Sequence, residues 1–129
     1  METLKFKNLA RLKGNLRLDS IIKIKNFLKE DEKEGVITEV KTNSIAYKRK
    51  IKNEDLDYYR QYYKHWITKE DNNFYVTSFL YFQPTKHMKF LEDGTIQFLA
   101  YTDKRNILLP TLDFKEGEVW LEVKLYKGE

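Results

Sequence analysis

Hydrophobic positions recur at helical spacing in the middle of the chain, and a long apolar run follows them. Between residues 53 and 67 they fall every three or four residues: Leu56, Tyr59, Tyr63, Trp66 and Ile67. Asn53 is a residue type that caps helix N-termini, so a helix is predicted over 53–67. Residues 74–82 are aromatic, β-branched and apolar on both alternating faces, which predicts a central strand with both faces covered.

A second helical pattern lies between Asp19 and Lys33. Its apolar positions fall on one helical face: Ile21, Ile24, Phe27 and Leu28. Asp19 or Ser20 can cap its start, and Gly35 can end it. The first seventeen residues fit either a helix with Phe6 and Leu9 on one face or two short strands, and we favour the helix.

Alternating apolar and polar positions predict strands in the rest of the chain. The predicted strands cover 36–40, 44–51, 87–91, 95–102, 107–109 and 119–126. The Asp93-Gly94 pair stands between two alternating runs and is the strongest hairpin signal in the sequence. In the last strand every second residue is apolar, which indicates a sheet with one buried face.

These elements predict one domain over residues 1–129. The predicted fold class is α+β, with two or three helices packed on one face of a mainly antiparallel sheet of about five or six strands. Residues 1–18 are predicted to form a basic N-terminal arm or a helix.

The composition excludes several kinds of chemistry. The chain has no cysteine, so it has no disulfides, thiolate zinc sites or cysteine nucleophiles. The two histidines lack metal-ligand spacing and there is no glycine-rich phosphate loop, so we expect no metal and no cofactor. Because no signal peptide or membrane-spanning apolar run is present, a soluble cytoplasmic protein is expected.

Positive charge is concentrated at the beginning of the chain. The net charge is +4, but residues 1–29 contain eight basic and two acidic residues, whereas residues 110–129 contain three basic and five acidic residues. This asymmetry favours an anionic partner near the N-terminus, although lysines also keep small domains soluble. Lysine outnumbers arginine 19 to 5, which favours contacts to the nucleic-acid backbone over base recognition.

The first functional hypothesis is therefore a small basic protein, not an enzyme, that binds nucleic acid independently of sequence. Its predicted contacts are residues of one strand and of the N-terminal segment: Lys48, Arg49, Lys50, Lys52, Tyr47, Lys5, Lys7, Arg11 and Lys13. Tyr75, Phe79 and Tyr81 share one face of the long strand and, if exposed, would stack on bases. The alternative is that these rings belong to the core.

Two other hypotheses use different residues. Tyr58, Tyr62 and His65 lie beside the main apolar stripe of the predicted helix and can form a protein interface or a homodimer face. Such a protein would be an inhibitor or adaptor of the kind that phages and mobile elements encode, for example against host defence. The third hypothesis is a metal-independent ribonuclease that uses His87, which lies between lysines, or His65.

Overall fold

Eight antiparallel strands form one continuous sheet within the part of the chain that a computed structural model describes, residues 2–26, 32–81, 88–102 and 117–128. The strands are β1 (Ile21–Asn26), β2 (Glu32–Val40), β3 (Ser44–Lys50), β4 (Ile67–Glu70), β5 (Asn73–Tyr81), β6 (Met88–Phe90), β7 (Ile96–Thr102) and β8 (Gly117–Tyr126). Their spatial order is β4-β5-β3-β2-β1-β8-β7-β6. Two short α-helices, α1 (Leu9–Asn15) and α2 (Leu56–Tyr62), accompany the sheet.

The predicted fold class is therefore wrong. Instead of two or three helices on a sheet of about five or six strands, the protein is dominated by an eight-stranded sheet with two short helices. The strands predicted over 36–40, 44–51, 74–82, 87–91, 95–102 and 119–126 are present as β2, β3, β5, β6, β7 and β8, with bounds shifted by a few residues. The strand predicted over 107–109 lies outside the described residues.

The helix predicted from Asp19 to Lys33 accounts for much of the error. Its described residues form β1 and the beginning of β2. Ile22 and Ile24 are completely buried, and the lysines that alternate with them lie on the opposite face of the sheet. The two-residue alternation of β-branched and charged side chains thus outweighs the weaker helical spacing. Residues 27–31 lie outside the described ranges.

The predicted central helix over 53–67 is also shorter than expected. A 3₁₀ turn, Asn53–Asp55, leads into α2, and a second 3₁₀ turn, Lys64–Trp66, follows it. Tyr63 has a φ of −132° and interrupts the helical backbone between the two. Ile67 then begins β4, so the end of the predicted helix is a strand.

The core lies on one face of the sheet, which curls so that β5 contacts β7 although four strands separate them in the sheet order. We call this the concave face and the opposite one the outer face. One apolar cluster joins seven elements through buried residues: Leu12, Leu16, Ile22, Ile24, Ile37, Ile45, Tyr47, Leu80, Ile96, Leu121, Val123 and Leu125. Leu12 and Leu16 attach α1 and the residue after it to one end of the concave face. Burying two such side chains contributes several kcal/mol, roughly 1.5–3 each.

α2 covers the other end of the concave face. Tyr59 forms a second buried cluster with Ile51 and Val76. Partly buried side chains surround this cluster: Leu56, Tyr63, Trp66, Ile67 and Phe74. The two helical segments therefore pack at separate ends of the same curled face.

Gly35 in β2 provides a test of this packing. A Cβ atom there would lie 2.6 Å from Cδ2 of Tyr47 and 2.9 Å from the carbonyl oxygen of Lys48. We expect Gly35→Ala to lower the free energy of unfolding by about 1–3 kcal/mol, because a buried ring and the backbone must move.

Gly14→Ala is the matched control for this substitution. Gly14 is exposed in α1, with nothing within 4 Å of the added methyl group. This substitution should raise the free energy of unfolding by about 0.5–1 kcal/mol. Chemical denaturation measures both, and equal effects of the two substitutions would contradict the packing described here.

Candidate functional site

Strand alternation divides the basic cluster that the sequence predicts in β3. Tyr47 is completely buried and Arg49 is half-buried, and both belong to the concave face. Lys48 and Lys50 belong to the outer face, as the two-residue period requires. The four adjacent residues therefore do not form one surface.

Arg49 is used inside the protein. Its Nε donates a hydrogen bond to Oγ of the buried Ser78, and its Nη2 donates one to the hydroxyl oxygen of Tyr59, both at 3.1 Å. The guanidinium carbon also lies 5.9 Å from the centre of the Tyr59 ring. Arg49 thereby connects β3, β5 and α2, and we interpret it as a structural anchor.

Lys48 is paired on the outer face. Its Nζ lies 3.0 Å from both carboxylate oxygens of Glu70 and 5.0 Å from the centre of the Tyr75 ring. Its charge is therefore locally compensated. Lys50 and Lys52 are exposed, and among the described residues no carboxylate lies within 4.0 Å of either ammonium group.

Tyr75, Phe79 and Tyr81 of β5 share the outer face, as the sequence predicts. Phe79 is buried and packs edge-to-face on Trp66, with ring centres 5.0 Å apart, and its ring stacks on Tyr81 at 6.2 Å. Tyr75 and Tyr81 are half-buried. Because bases stack on open rings, this arrangement does not favour a stacking platform on β5.

The N-terminal segment holds its basic side chains outward on a fixed backbone. The N–H of Leu4 donates to the carbonyl oxygen of Leu125 at 2.7 Å, which aligns the segment with β8. Asn8 caps α1 by accepting a hydrogen bond from the N–H of Arg11 at 2.9 Å. Leu12 and Leu16 are buried in the core, whereas Arg11 is exposed and Lys13 is half-buried on the same segment.

We call five residues of this segment the N-terminal basic surface: Lys5, Lys7, Arg11, Lys13 and Arg17. Lys13 is half-buried and the other four are exposed. No described carboxylate lies within 4.0 Å of their charged groups. Arg17 is not among the contacts predicted from the sequence. It is one of the eight basic residues that give residues 1–29 their positive charge, so the total charge is the feature of the sequence that points to it.

Almost all of the excess positive charge of the described residues lies in the N-terminal segment, residues 2–18. The described ranges contain nineteen basic and fourteen acidic residues, an excess of five. Residues 2–18 contain five basic residues and one acidic residue, an excess of four. The remaining described residues are nearly neutral.

The hairpin between β6 and β7 supports the N-terminal segment. Gly94 has a φ of +97°, and a Cβ there would lie 2.5 Å from Cγ2 of Thr3. The Asp93 carboxylate accepts a hydrogen bond from the N–H of Thr95 at 2.9 Å, which holds the pKa of Asp93 below its ordinary value. A closely packed turn therefore lies beside the segment that carries the charge.

A cleft of about 590 Å³ borders the N-terminal basic surface. It lies between the turn that precedes β1 and the residues that follow β8. Arg17 and Lys127 line it together with Glu2 and Asp19. Since both signs of charge are present, the cleft is not specific for an anion.

The two parts of the predicted nucleic-acid site lie far apart. α1 packs near Ile45 at the beginning of β3, whereas Lys50 ends that strand. Five residues of extended strand separate these positions by about 17 Å. Lys5, Lys7, Arg11 and Lys13 thus lie on one segment that is attached to β8 and to the core, and Lys50 and Lys52 lie at the other end of β3.

The residues of the second hypothesis lie on α2 and the turn after it. Tyr58 and Tyr62 are each 48% exposed, and their ring centres are 5.1 Å apart. Tyr59 contacts Tyr58 edge-to-face at 5.4 Å while its own side chain is buried. His65 is exposed one turn later. We call Tyr58, Tyr62 and His65 the tyrosine face.

Comparison with known proteins identifies no relative. The chain has no significant match to a protein-family model, a curated protein sequence or a solved structure. The structural evidence on function therefore comes from the N-terminal basic surface and the tyrosine face.

The described residues offer little support for a ribonuclease site or a metal site. His87 lies outside the described residues, so the ribonuclease hypothesis stays a prediction. Within the described ranges no group of three or more His, Asp or Glu side chains could hold a metal ion. Of the helices described, none has the length and apolar character needed to cross a membrane.

The Arg49 anchor can be tested through its partner. Tyr59→Phe removes the hydroxyl oxygen that accepts a hydrogen bond from Arg49. We expect the free energy of unfolding to fall by about 0.5–1.5 kcal/mol. Tyr58→Phe, on the adjacent exposed ring, should change it by less than about 0.5 kcal/mol. Thermal or chemical denaturation compares the two, and indistinguishable stabilities would exclude the anchoring role.

Proposed function

We propose that the protein is a non-enzymatic module that binds nucleic acid through its phosphate backbone, using the N-terminal basic surface. The observation that carries this proposal is the distribution of charge. Residues 2–18 hold four of the five excess positive charges of the described chain. Their charged groups have no described carboxylate within ion-pair distance.

Backbone contact follows from the residue types. Three of the five basic residues of this surface are lysines, whose ammonium groups act as compact point charges, and Arg11 and Arg17 can also contact phosphate. Each phosphate that is neutralised releases condensed counterions, which supplies a favourable free energy that depends on salt. Since the segment is attached to β8 and to the core, little ordering is needed on binding.

The strand residues have a smaller part in this proposal. Tyr47, Lys48 and Arg49 already have partners within the fold. Lys50 and Lys52 are exposed but isolated at the opposite end of β3. We therefore assign the principal contacts to the N-terminal basic surface.

A second candidate function is binding to another protein, as an inhibitor or adaptor does. One observation favours it, namely that Tyr58 and Tyr62 remain nearly half exposed on a helix anchored by Tyr59. Tyrosine is favoured at interface centres because it offers a large contact area with few rotatable bonds.

The test of the first proposal is binding of labelled single- and double-stranded DNA and RNA, measured by fluorescence anisotropy. Four to five phosphate contacts give a log–log salt slope of about −4, so affinity should fall roughly 100-fold or more between about 50 and 200 mM salt. The Lys7→Glu/Arg11→Glu variant should weaken binding at least tenfold, because it removes two contacts and adds two repulsive charges.

The Lys50→Glu/Lys52→Glu variant is the matched control, with the same change in net charge at the other end of the sheet. It should bind within about threefold of the unmodified protein. No binding of any nucleic acid at about 50 mM salt would end the proposal. Equal weakening by the two variants would show that net charge, and not this surface, is responsible.

A further inference from the structure

The tyrosine face has opposite charges at its two ends. Glu54 and Asp55 precede α2 and lie four and three residues before Tyr58, respectively. Lys64 and His65 follow α2 and lie two and three residues after Tyr62. All four flanking residues are exposed. The order along the segment is therefore acidic, aromatic, basic.

Such an order is self-complementary. If two identical segments lie antiparallel across a two-fold axis, the acidic end of one meets the basic end of the other. The tyrosines of both copies then meet at the centre, where offset or edge-to-face ring contacts are favourable. A partner with another charge order would not be matched in this way.

We propose that the occupant of the tyrosine face is a second copy of this chain, which forms a two-fold symmetric dimer. The contact places Tyr58 and Tyr62 of one copy against the same two residues of the other. Glu54 and Asp55 of each copy pair with Lys64 of its partner, and His65 lies beside that contact.

The fold prepares this face for binding. α2 is attached to the sheet by the hydrogen bond from Arg49 to Tyr59 and by the buried cluster around Ile51 and Val76. The ring contact between Tyr58 and Tyr62 fixes their relative positions. Because these side chains are ordered before association, the entropic cost of forming the interface is reduced.

The dimer is expected to be weak and to leave the N-terminal basic surface free. One short helical segment per copy buries less area than a stable permanent interface needs, so association should depend on concentration. α1 and α2 pack at separate ends of the concave face. The contact would therefore keep the N-terminal basic surface of each copy accessible. The dimer proposal does not depend on nucleic-acid binding.

The first experiment is sedimentation equilibrium of the purified full chain over a concentration series up to about 1 mM, the weak limit of specific association. We expect a reversible monomer–dimer equilibrium. Tyr58→Ala/Tyr62→Ala should raise its dissociation constant at least tenfold, because the central rings are lost. Circular dichroism checks that this variant is folded. A chain that stays monomeric throughout the series overturns the proposal.

A charge exchange identifies the antiparallel arrangement. Glu54→Lys/Asp55→Lys makes both ends of the face basic, and Lys64→Glu/His65→Glu makes both ends acidic. Each variant alone should dimerise at least tenfold more weakly than the unmodified protein, because like charges meet at both ends. An equimolar mixture should regain association at or above the original strength, because every end again meets its opposite.

Glu34→Lys/Glu39→Lys is the matched control for Glu54→Lys/Asp55→Lys. It makes the same change in net charge at exposed positions of β2. It should leave the dissociation constant unchanged within about twofold. A mixture of the two exchange variants that fails to associate overturns the antiparallel dimer. A dimer that survives both the alanine and the charge-exchange variants assigns the contact to another face and also overturns it.

Discussion

The two-residue alternation of β-strands is the constraint on which the structure depends. It assigns the described side chains of the sheet to the concave face or to the outer face, with one register shift in β2 between Ile37 and Glu39. Ile22, Ile24 and Tyr47 fall on the concave face and are completely buried. Arg49 follows Tyr47 by two residues, so the same rule places a charged side chain at the interior. Its hydrogen bonds to Ser78 and Tyr59 offset the cost of removing it from water.

The hydrogen bonds of Arg49 also determine the position of the exposed tyrosines of α2. Tyr59 is held by Arg49 and packed on Val76, so the adjacent residues of α2 are turned outward. Tyr58 and Tyr62 are four residues apart and therefore share a helical face, which stays nearly half exposed. The position of the tyrosine face is thus a consequence of the hydrogen bonds that the half-buried Arg49 makes to Ser78 and Tyr59.

The two proposed binding surfaces lie on different helices. α1 carries basic residues and attaches through Leu12, whereas α2 carries tyrosines and attaches through Tyr59. They pack at separate ends of the curled sheet. An anionic polymer and a second protein surface would therefore meet different parts of the molecule, and neither would compete with the other for space.

The sequence by itself determined most strands, the hairpin at Asp93-Gly94 and the basic character of the N-terminal segment, because these depend on neighbouring residues and on total charge. It misassigned residues 19–26 and 32–33, where a few apolar residues fit both a helical and a strand period. Strand alternation in the sequence also predicted that Arg49 faces away from Lys48 and Lys50, which the register confirms, although all three were assigned to one nucleic-acid site. Contacts between distant elements show that Arg49 is half-buried beside Tyr59, that Lys48 pairs with Glu70, and that the N-terminal charges lie at the other end of β3. Pairing between distant strands fixes these relations, and no local pattern in the sequence contains them.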